Sequence, residues 1–392
     1  MLHDTSSLPE RLSVLGATGS IGVSTLDVLA QLGGRDRFHV EAVTGMGNVA
    51  LLAQQAKAVG ARVAVTADPG RYGELRAALA GTGIEAAAGS DALAEAASRP
   101  VDWVMAGIVG VAGLAPTLAA ARAGATVALA NKECLVSAGD LFLAEVERAG
   151  TIVLPVDSEH SAIHQCLAAD LAQPVERIVL TASGGPFRTA SVDTMRTATP
   201  AEAAGHPRWS MGQKISIDSA SMFNKALEMI EARHLFAVRP DQIEVIIHPQ
   251  SIIHSAVGFA DGSMIAQLGA PDMRTPIAYA LSYPARAAIN VERLDFAALA
   301  RLDFEAPDEA RFPALRLARE AMTRGGAGGA VLNGAKEAAL DAFIAGRIGF
   351  LDMAATVERV MEVMAGWPAP LTLDDVFAAD AEARARAVQA MA

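Results

Sequence analysis

The chain has 392 residues, 52% of them hydrophobic and 19% charged, with a formal charge of −12. That apolar content rules out a wholly disordered chain, and the length suggests about two to three domains. The acidic balance, with no dense basic run, argues against binding the phosphate backbone of a nucleic acid. Two cysteines, Cys134 and Cys166, exclude a disulfide framework or a four-thiolate zinc site and fit a reduced, cytoplasmic protein.

The opening MLHDTSSLPE has neither a basic n-region nor an apolar h-region, so no secretory leader is expected. Six apolar runs follow, at 12–15, 38–44, 62–65, 101–105, 126–130 and 151–154. Helical patterns separate them at about 20–32, 48–59, 70–80, 90–98 and 112–123, with another at 135–149. Strand and helix in alternation predict a parallel sheet covered on both faces, of the doubly wound dinucleotide type. Residues 103–121 lack charge over about a membrane's span, but Gly107, Gly110, Gly113 and Pro116 break them. A buried strand, a loop and a helix fit that stretch better.

Beyond residue 155 the pattern becomes mixed α+β. Strands are expected at about 176–182, 243–247, 252–259 and 263–268, and helices at about 159–168, 218–232 and 273–282. The stretch 183–216 is rich in Gly, Ser, Thr and Pro and too long for an ordinary connection, which predicts a mobile functional loop. A tract at about 291–312 has little periodicity and reads as a linker. From residue 312 onward the pattern is helical.

The first run leads into Gly16, Gly19 and Gly22 and then a helix. Glycines here allow a tight turn and let backbone N–H groups approach a pyrophosphate at a helix N-terminus. The spacing is GxxGxxG, and an ordinary glycine-rich βα turn has the same composition, so the position between first strand and first helix carries the reading. The second strand ends in Val43-Thr44-Gly45-Met46-Gly47-Asn48, with no acidic residue to hold a ribose 2′-hydroxyl. That favours NADP over NAD; Asn48 either meets the 2′-phosphate or caps the next helix, or does both.

Asp157 and Glu159, two apart, would point to one side of an extended strand end. Asn224 and Glu228 are spaced i, i+4 on one helical face, with Lys225 adjoining. Three converging carboxylates would suit a hard divalent cation such as Mg²⁺ or Mn²⁺; solvated surface charge is the plain alternative. His160 and His164 lack the intervening HExxH pattern, which argues against zinc hydrolysis. His248 and His254 read as structural. Lys132, at a carboxyl-end loop, is either a substrate-binding cation or a helix-start surface lysine.

Several motifs together resemble the 1-deoxy-D-xylulose-5-phosphate reductoisomerase family. They are GATGSIG (16–22), ALANKECLV (128–136), PVDSEHSAI (155–163), TASGGPFR (181–188), HPRWSMGQKISIDSASMFNKALE (206–228) and HPQSIIHS (248–255), in family order. The resemblance implies an α/β protein with a doubly wound Rossmann-like NADPH domain at 1–155 and a central α+β catalytic domain at 156–290. The flexible flap at 183–216 lies in that second domain. A linker at 291–311 and a C-terminal helical bundle at 312–392 complete the chain. It also implies a homodimer whose central-domain strands pair into one extended sheet, with no nucleic-acid or membrane partner.

The site residues follow from the same resemblance. Asp157, Glu159 and Glu228 match the ligands of Mg²⁺ or Mn²⁺. Ser183, His206, Ser219, Asn224 and Lys225 match the groups around the phosphate of the sugar substrate, and Lys132 and Ser158 those at its hydroxyl and carbonyl end, with Glu159 and Glu228 also expected to bind substrate. Trp209 and Met211 match flap residues over substrate and cofactor. Thr18, Gly19, Ser20, Ile21, Gly45, Asn48, Asn131, Glu133, Met211 and Gly212 match the NADPH contacts. Lys132, Asp157, Glu159, His206, Trp209 and Glu228 are the expected catalytic set. The family often carries a basic residue where this chain has Gly47, which leaves Arg71 or Lys57 as substitute cations.

The implied reaction rearranges 1-deoxy-D-xylulose 5-phosphate through retro-aldol and aldol steps and reduces the product to 2-C-methyl-D-erythritol 4-phosphate. Another two-domain dehydrogenase, acting on a semialdehyde, is the rival reading; it has no need of three carboxylates or of the 206–228 run. A nucleotide-sensing regulator would need a recognition surface for which the sequence offers no basic helix.

Overall fold

The structure, a computed structural model, describes residues 8–168, 174–207, 209 and 212–392. The described residues form two compact units. One draws on Met1–Cys134, Phe142–Ser161 and Asp272–Glu292; the other on Leu135–Leu141, Ala162–Pro271 and Arg293–Ala392.

The first sheet holds β1 (Arg11–Leu15), β2 (His39–Gly45), β3 (Val63–Thr66), β4 (Glu85–Ala88), β5 (Trp103–Ala106), β6 (Thr126–Leu129) and β7 (Val153–Pro155). Between them run α1 (Ser20–Gln31), α2 (Val49–Val59), α3 (Tyr72–Ala78), α4 (Ser90–Ser98), α5 (Leu114–Arg122) and α6 (Glu133–Ala149), and α7 (Ser158–Leu167) follows. All pairings are parallel, in the order β4-β3-β2-β1-β5-β6-β7. The chain reverses direction across the sheet between β1 and β5, so the carboxyl ends of these two strands bound the crevice where such sheets bind ligands. Alternation sets the two faces: Ala64 joins the larger core with Leu12, Val14, Val43, Trp103 and Met105, while Val63 and Val65 join Ala42, Leu93 and Ala96 on the other side. The sheet has seven strands rather than the six expected. β4 went unread because Glu-Ala-Ala-Ala offers no β-branched or aromatic residue, and its place comes from pairing with β3 at the sheet edge.

α12 (Arg274–Ser282), expected among the central elements, packs against the first sheet. Ile277, Ala278, Ala280 and Leu281 enter its core, and the Trp103 indole N–H donates to the Ala280 carbonyl at 3.1 Å.

The second sheet holds β8 (Val175–Ala182), β9 (Ile243–Ile247), β10 (Ile253–Phe259) and β11 (Met264–Leu268) in the order β11-β10-β8-β9. β8 and β9 are parallel; β10 is antiparallel to β8 and to β11. The stretch 183–216 carries two short helices, α8 (Val192–Arg196) and α9 (Pro200–Ala203), each N-capped by a hydroxyl, and runs into α10 (Gln213–Ala220). The helix expected over 218–232 is two helices, α10 and α11 (Phe223–Phe236). Met222 breaks the run by adopting a left-handed conformation (φ 63°) at the start of α11.

In the tract 291–312, α13 (Phe296–Leu299) forms one turn, and Glu305 bridges to Ile247 at the edge of β9. α14 (Ala314–Arg324), α15 (Gly328–Ile344), α16 (Phe350–Val363) and α17 (Leu373–Ala390) complete the chain, as the helical pattern predicted. No helix of the described residues is long and apolar enough to cross a membrane.

Candidate active site

The glycine turn lies at the carboxyl end of β1. Gly16 is left-handed (φ 83°), and a Cβ there would lie 2.5 Å from the Gly107 carbonyl oxygen at the end of β5. A Cβ on Gly22 would lie 2.4 Å from the Ala17 Cα, so only glycine lets α1 sit this close to the turn. The turn is held from β2 and α2: the Gly16 N–H donates to the Thr44 hydroxyl (2.9 Å), the Ala17 N–H to the Thr44 carbonyl (2.7 Å), and the Gln55 amide to the Ala17 carbonyl (2.9 Å). Gly19 caps α1 with no side-chain hydrogen bond, which leaves the helix's first N–H groups to a ligand. Thr18, Ser20 and Ile21 line this turn.

Gly45 ends β2 and its would-be Cβ faces the Thr18 side chain. Asn48 is exposed, and its side-chain oxygen accepts from the Leu51 N–H at 3.1 Å, so its capping role is present. Arg71 is paired with Glu74 (3.0 Å) and Asp68 (3.7 Å).

Lys132 and Glu133 open α6 and are both buried. Asn131 precedes them, also buried, with its side chain turned to local work. Its amide donates to the carbonyls of Ile108 and Gly110, and its oxygen accepts from the Cys134 N–H at 2.8 Å. It thereby braces the β5–α5 loop. The Lys132 ammonium lies 2.5 Å from Asp157 Oδ2.

Asp157 and Glu159 do not stand on an extended strand. β7 ends at Pro155, and the Ser161 N–H already donates to the Asp157 carbonyl at 2.8 Å, so Asp157 precedes the first turn of α7 and Glu159 lies within it. Both carboxylates therefore sit at a positive helix end. Ser158 donates to Glu159 Oε2 at 2.5 Å.

The second unit carries the residues expected around the substrate phosphate. Ser183 follows β8, and Gly184 and Gly185 are both left-handed (φ 81° and 63°). A Cβ on Gly185 would meet the Ser219 carbonyl oxygen at 3.1 Å, so the loop that follows Ser183 lies on the last turn of α10. His206 Nδ1 accepts from the Trp209 N–H at 2.9 Å, and burial pushes its imidazolium pKa down. The ring is thus neutral with its proton on Nε2, 2.9 Å from the Ser183 oxygen. That oxygen also accepts from the Gly185 N–H at 3.2 Å. With both acceptor positions used, the Ser183 hydroxyl keeps its own hydrogen for a ligand.

Asn224 and Lys225 stand in the first turn of α11. Both side chains donate to the wholly buried Glu228, which confirms the shared face expected from the spacing. Trp209 sits beside His254, ring centroids 6.1 Å apart. Gly212 caps α10. Met211 lies outside the described residues.

His248 donates from Nδ1 to the Asp303 carbonyl (2.9 Å) and accepts the Ile252 N–H on Nε2 (3.2 Å), a structural histidine as read. Burial pushes the Cys166 thiol up to about 11, so it is no nucleophile.

Three family profiles match in succession. One described as 1-deoxy-D-xylulose 5-phosphate reductoisomerase covers residues 12–139, one described as its C-terminal domain covers 153–236, and one described as the DXP reductoisomerase C-terminal domain covers 268–386. The 1-deoxy-D-xylulose 5-phosphate reductoisomerase of Sinorhizobium medicae (strain WSM419) is 70% identical over 377 residues, 96% of either chain. That of Rhizobium meliloti (strain 1021) is 68% identical, over 97% of this chain and 98% of the relative.

Among solved structures, the Zymomonas mobilis reductoisomerase in complex with NADPH is 53% identical over 98% of this chain and 99% of its own, with a TM-score of 0.91. A DOX-P reductoisomerase in complex with NADPH, fosmidomycin and magnesium is 42% identical over 97% of this chain and 98% of its own, with a TM-score of 0.92. Likeness of this extent, along nearly the whole length of each relative, means that the chain belongs to the 1-deoxy-D-xylulose 5-phosphate reductoisomerase family.

Proposed function

We propose that this chain converts 1-deoxy-D-xylulose 5-phosphate to 2-C-methyl-D-erythritol 4-phosphate, with NADPH as reductant and a divalent cation as cofactor. The observation that carries the reading is 70% identity to a named reductoisomerase across 96% of both chains. The solved relatives described as complexes with NADPH and magnesium support the same cofactors.

The residues fit both groups. The glycine turn leads into α1 with no side-chain cap on its first N–H groups, the arrangement that receives a pyrophosphate, with Thr18, Gly19, Ser20, Ile21, Gly45, Asn48, Asn131, Glu133, Met211 and Gly212 as the proposed surroundings of NADPH. Asp157, Glu159 and Glu228 supply carboxylate oxygens, the donors that Mg²⁺ or Mn²⁺ takes. When bound, the cation supplies Lewis-acid polarisation and the nicotinamide supplies hydride.

The chain's own residues do the rest. The Ser183 hydroxyl, Ser219, Asn224 and Lys225 hold the substrate phosphate at the start of α11, where N–H groups add favourable charge. His206 orients the Ser183 donor. This remote binding energy is spent on fixing the reacting carbons. The Lys132 ammonium and the Ser158 hydroxyl face the carbonyl and hydroxyl end, and Lys132 stabilises oxyanion charge as the carbon–carbon bond breaks and re-forms. Trp209 covers the substrate and excludes water while the aldehyde awaits reduction.

A cytoplasmic homodimer is part of the proposal. β11 is an edge strand, with Met264 exposed, and pairing it with a second copy would extend the sheet. The 1–155 segment would carry NADPH, the 156–290 segment the chemistry and the flap, and 312–392 the helical support.

The test is NADPH oxidation with 1-deoxy-D-xylulose 5-phosphate, with Mg²⁺ and then with excess chelator, and with NADH in parallel. Substrate-dependent, chelator-sensitive oxidation is expected, faster with NADPH. No oxidation by folded, metal-replete protein that binds NADPH would refute the reading.

A further inference from the structure

α10, which carries Ser219, is a short helix. It is eight residues long, its N-cap makes no side-chain hydrogen bond, and its buried apolar residues are Ile217 and Ala220. Two charged pairs also tie it to α15. Lys336 of α15, only 2% exposed, reaches Asp218 of α10 at 3.0 Å and its own neighbour Glu337 at 2.8 Å. One turn earlier on α10, Lys214 meets Asp341, five residues further along α15, at 2.6 Å. α10 thus reads plus then minus, and α15 plus then minus, with the helices meeting in opposite directions.

A slip of about one turn (~5.4 Å) either way would set Asp218 against Asp341 or Lys214 against Lys336. Both slips bring like charges together. A buried lysine–carboxylate pair is costly to desolvate and contributes little net stability, so specifying one register is its best-attested use. Burial works against the Glu337 charge, and Lys336, with Lys214 and Arg384 nearby, more than offsets it, which holds the Glu337 carboxyl below its ordinary pKa.

We propose that the Lys336–Asp218 and Lys214–Asp341 pairs form a charge-coded register that positions α10, and with it Ser219 and the loop of Ser183 and Gly185, for the substrate phosphate. These four are positioning residues. The inference rests on the function proposed above.

The test reads phosphate affinity apart from turnover. Asp341→Lys sets two half-exposed cations together at little risk to folding. It should raise KM for 1-deoxy-D-xylulose 5-phosphate about tenfold and weaken inorganic phosphate binding, by calorimetry, to a similar degree. NADPH affinity should stay within about twofold of wild type. The swap Lys214→Asp with Asp341→Lys re-forms the pair but leaves α10 with two anions and α15 with two cations, so a slip no longer meets like charge. It should recover only part of both losses, and full recovery would show pairing without a register code and overturn the proposal. Lys336→Arg should keep the phosphate affinity that Lys336→Met loses; if Lys336→Met does not fold, the half-exposed pair decides. Unchanged KM and phosphate affinity in Asp341→Lys, with only thermal stability lowered, would overturn the proposal. Wild-type protein without turnover, but with phosphate affinity that follows these substitutions, would sink the proposed reaction and leave the register standing.

Discussion

Ser183→Ala removes a single oxygen whose role follows from its neighbours. The oxygen accepts from His206 Nε2 (2.9 Å) and from the Gly185 N–H (3.2 Å), so its hydrogen is committed outward, toward the phosphate in the proposed complex. A hydrogen bond to a charged acceptor contributes about 1.5–3 kcal/mol. At about 1.4 kcal/mol per factor of ten, its loss should raise KM for 1-deoxy-D-xylulose 5-phosphate roughly 10- to 100-fold. Part of the loss should appear in kcat, because phosphate binding energy also drives closure over the substrate. The assay is initial-rate NADPH oxidation, beside NADPH affinity measured by fluorescence, which should not move. The unphosphorylated sugar gives the internal control: wild type and variant should handle it alike. A KM within about twofold of wild type, or an equal loss with the unphosphorylated sugar, would refute the assignment of the Ser183 hydrogen.

Gly22→Ala places a methyl 2.4 Å from the Ala17 Cα, with no rotamer to relieve it. Overpacking of this kind costs about 1–3 kcal/mol, and NADPH affinity should fall with it; Gly73→Ala, with open space around it, is the matched control in denaturant titration. Acid should act through the histidines. Burial pushes the pKa values of His164, His206 and His234 below the ordinary 6.5. Unfolded chain then binds more protons than folded chain below about 6.5, so the stability these rings contribute is complete above that pH and is lost as pH falls through it. Calorimetric melting between neutral and mildly acidic pH should show this loss, reduced in His234→Gln; a melting temperature indifferent to pH would contradict it.

Most strands and the C-terminal helices were legible, because apolar runs and their spacing report burial directly. β4 was not, since Glu85 and three alanines become a strand only by pairing with β3. The helix across 218–232 looked continuous because helical periodicity survives one left-handed residue, and nothing in the word Ser-Met-Phe marks Met222 as that residue. The shared face of Asn224 and Glu228 was readable from i, i+4 spacing alone. The setting of Asp157 and Glu159 was not, as strand end and helix start differ there by two residues. Partners far apart in sequence left no local trace: Lys336 meets Asp218 across 118 positions, and Gln55 meets the glycine turn across 38. Asn131 was legible as part of a motif, but its bracing of Ile108 and Gly110 required the loop itself.

Asp272–Glu292 belongs to the same unit as the first sheet, and this has a consequence for synthesis. When Pro155 leaves the ribosome every strand of that sheet exists, yet the face that takes Ile277, Ala278, Ala280 and Leu281 is still bare. Roughly 130 further residues must be made before the covering helix arrives, on the order of ten seconds at ~5–20 residues per second. Through that interval the nascent sheet presents an apolar face to its surroundings. A fragment ending near residue 155 would keep that face permanently, and its fate in the cell would be aggregation or chaperone capture.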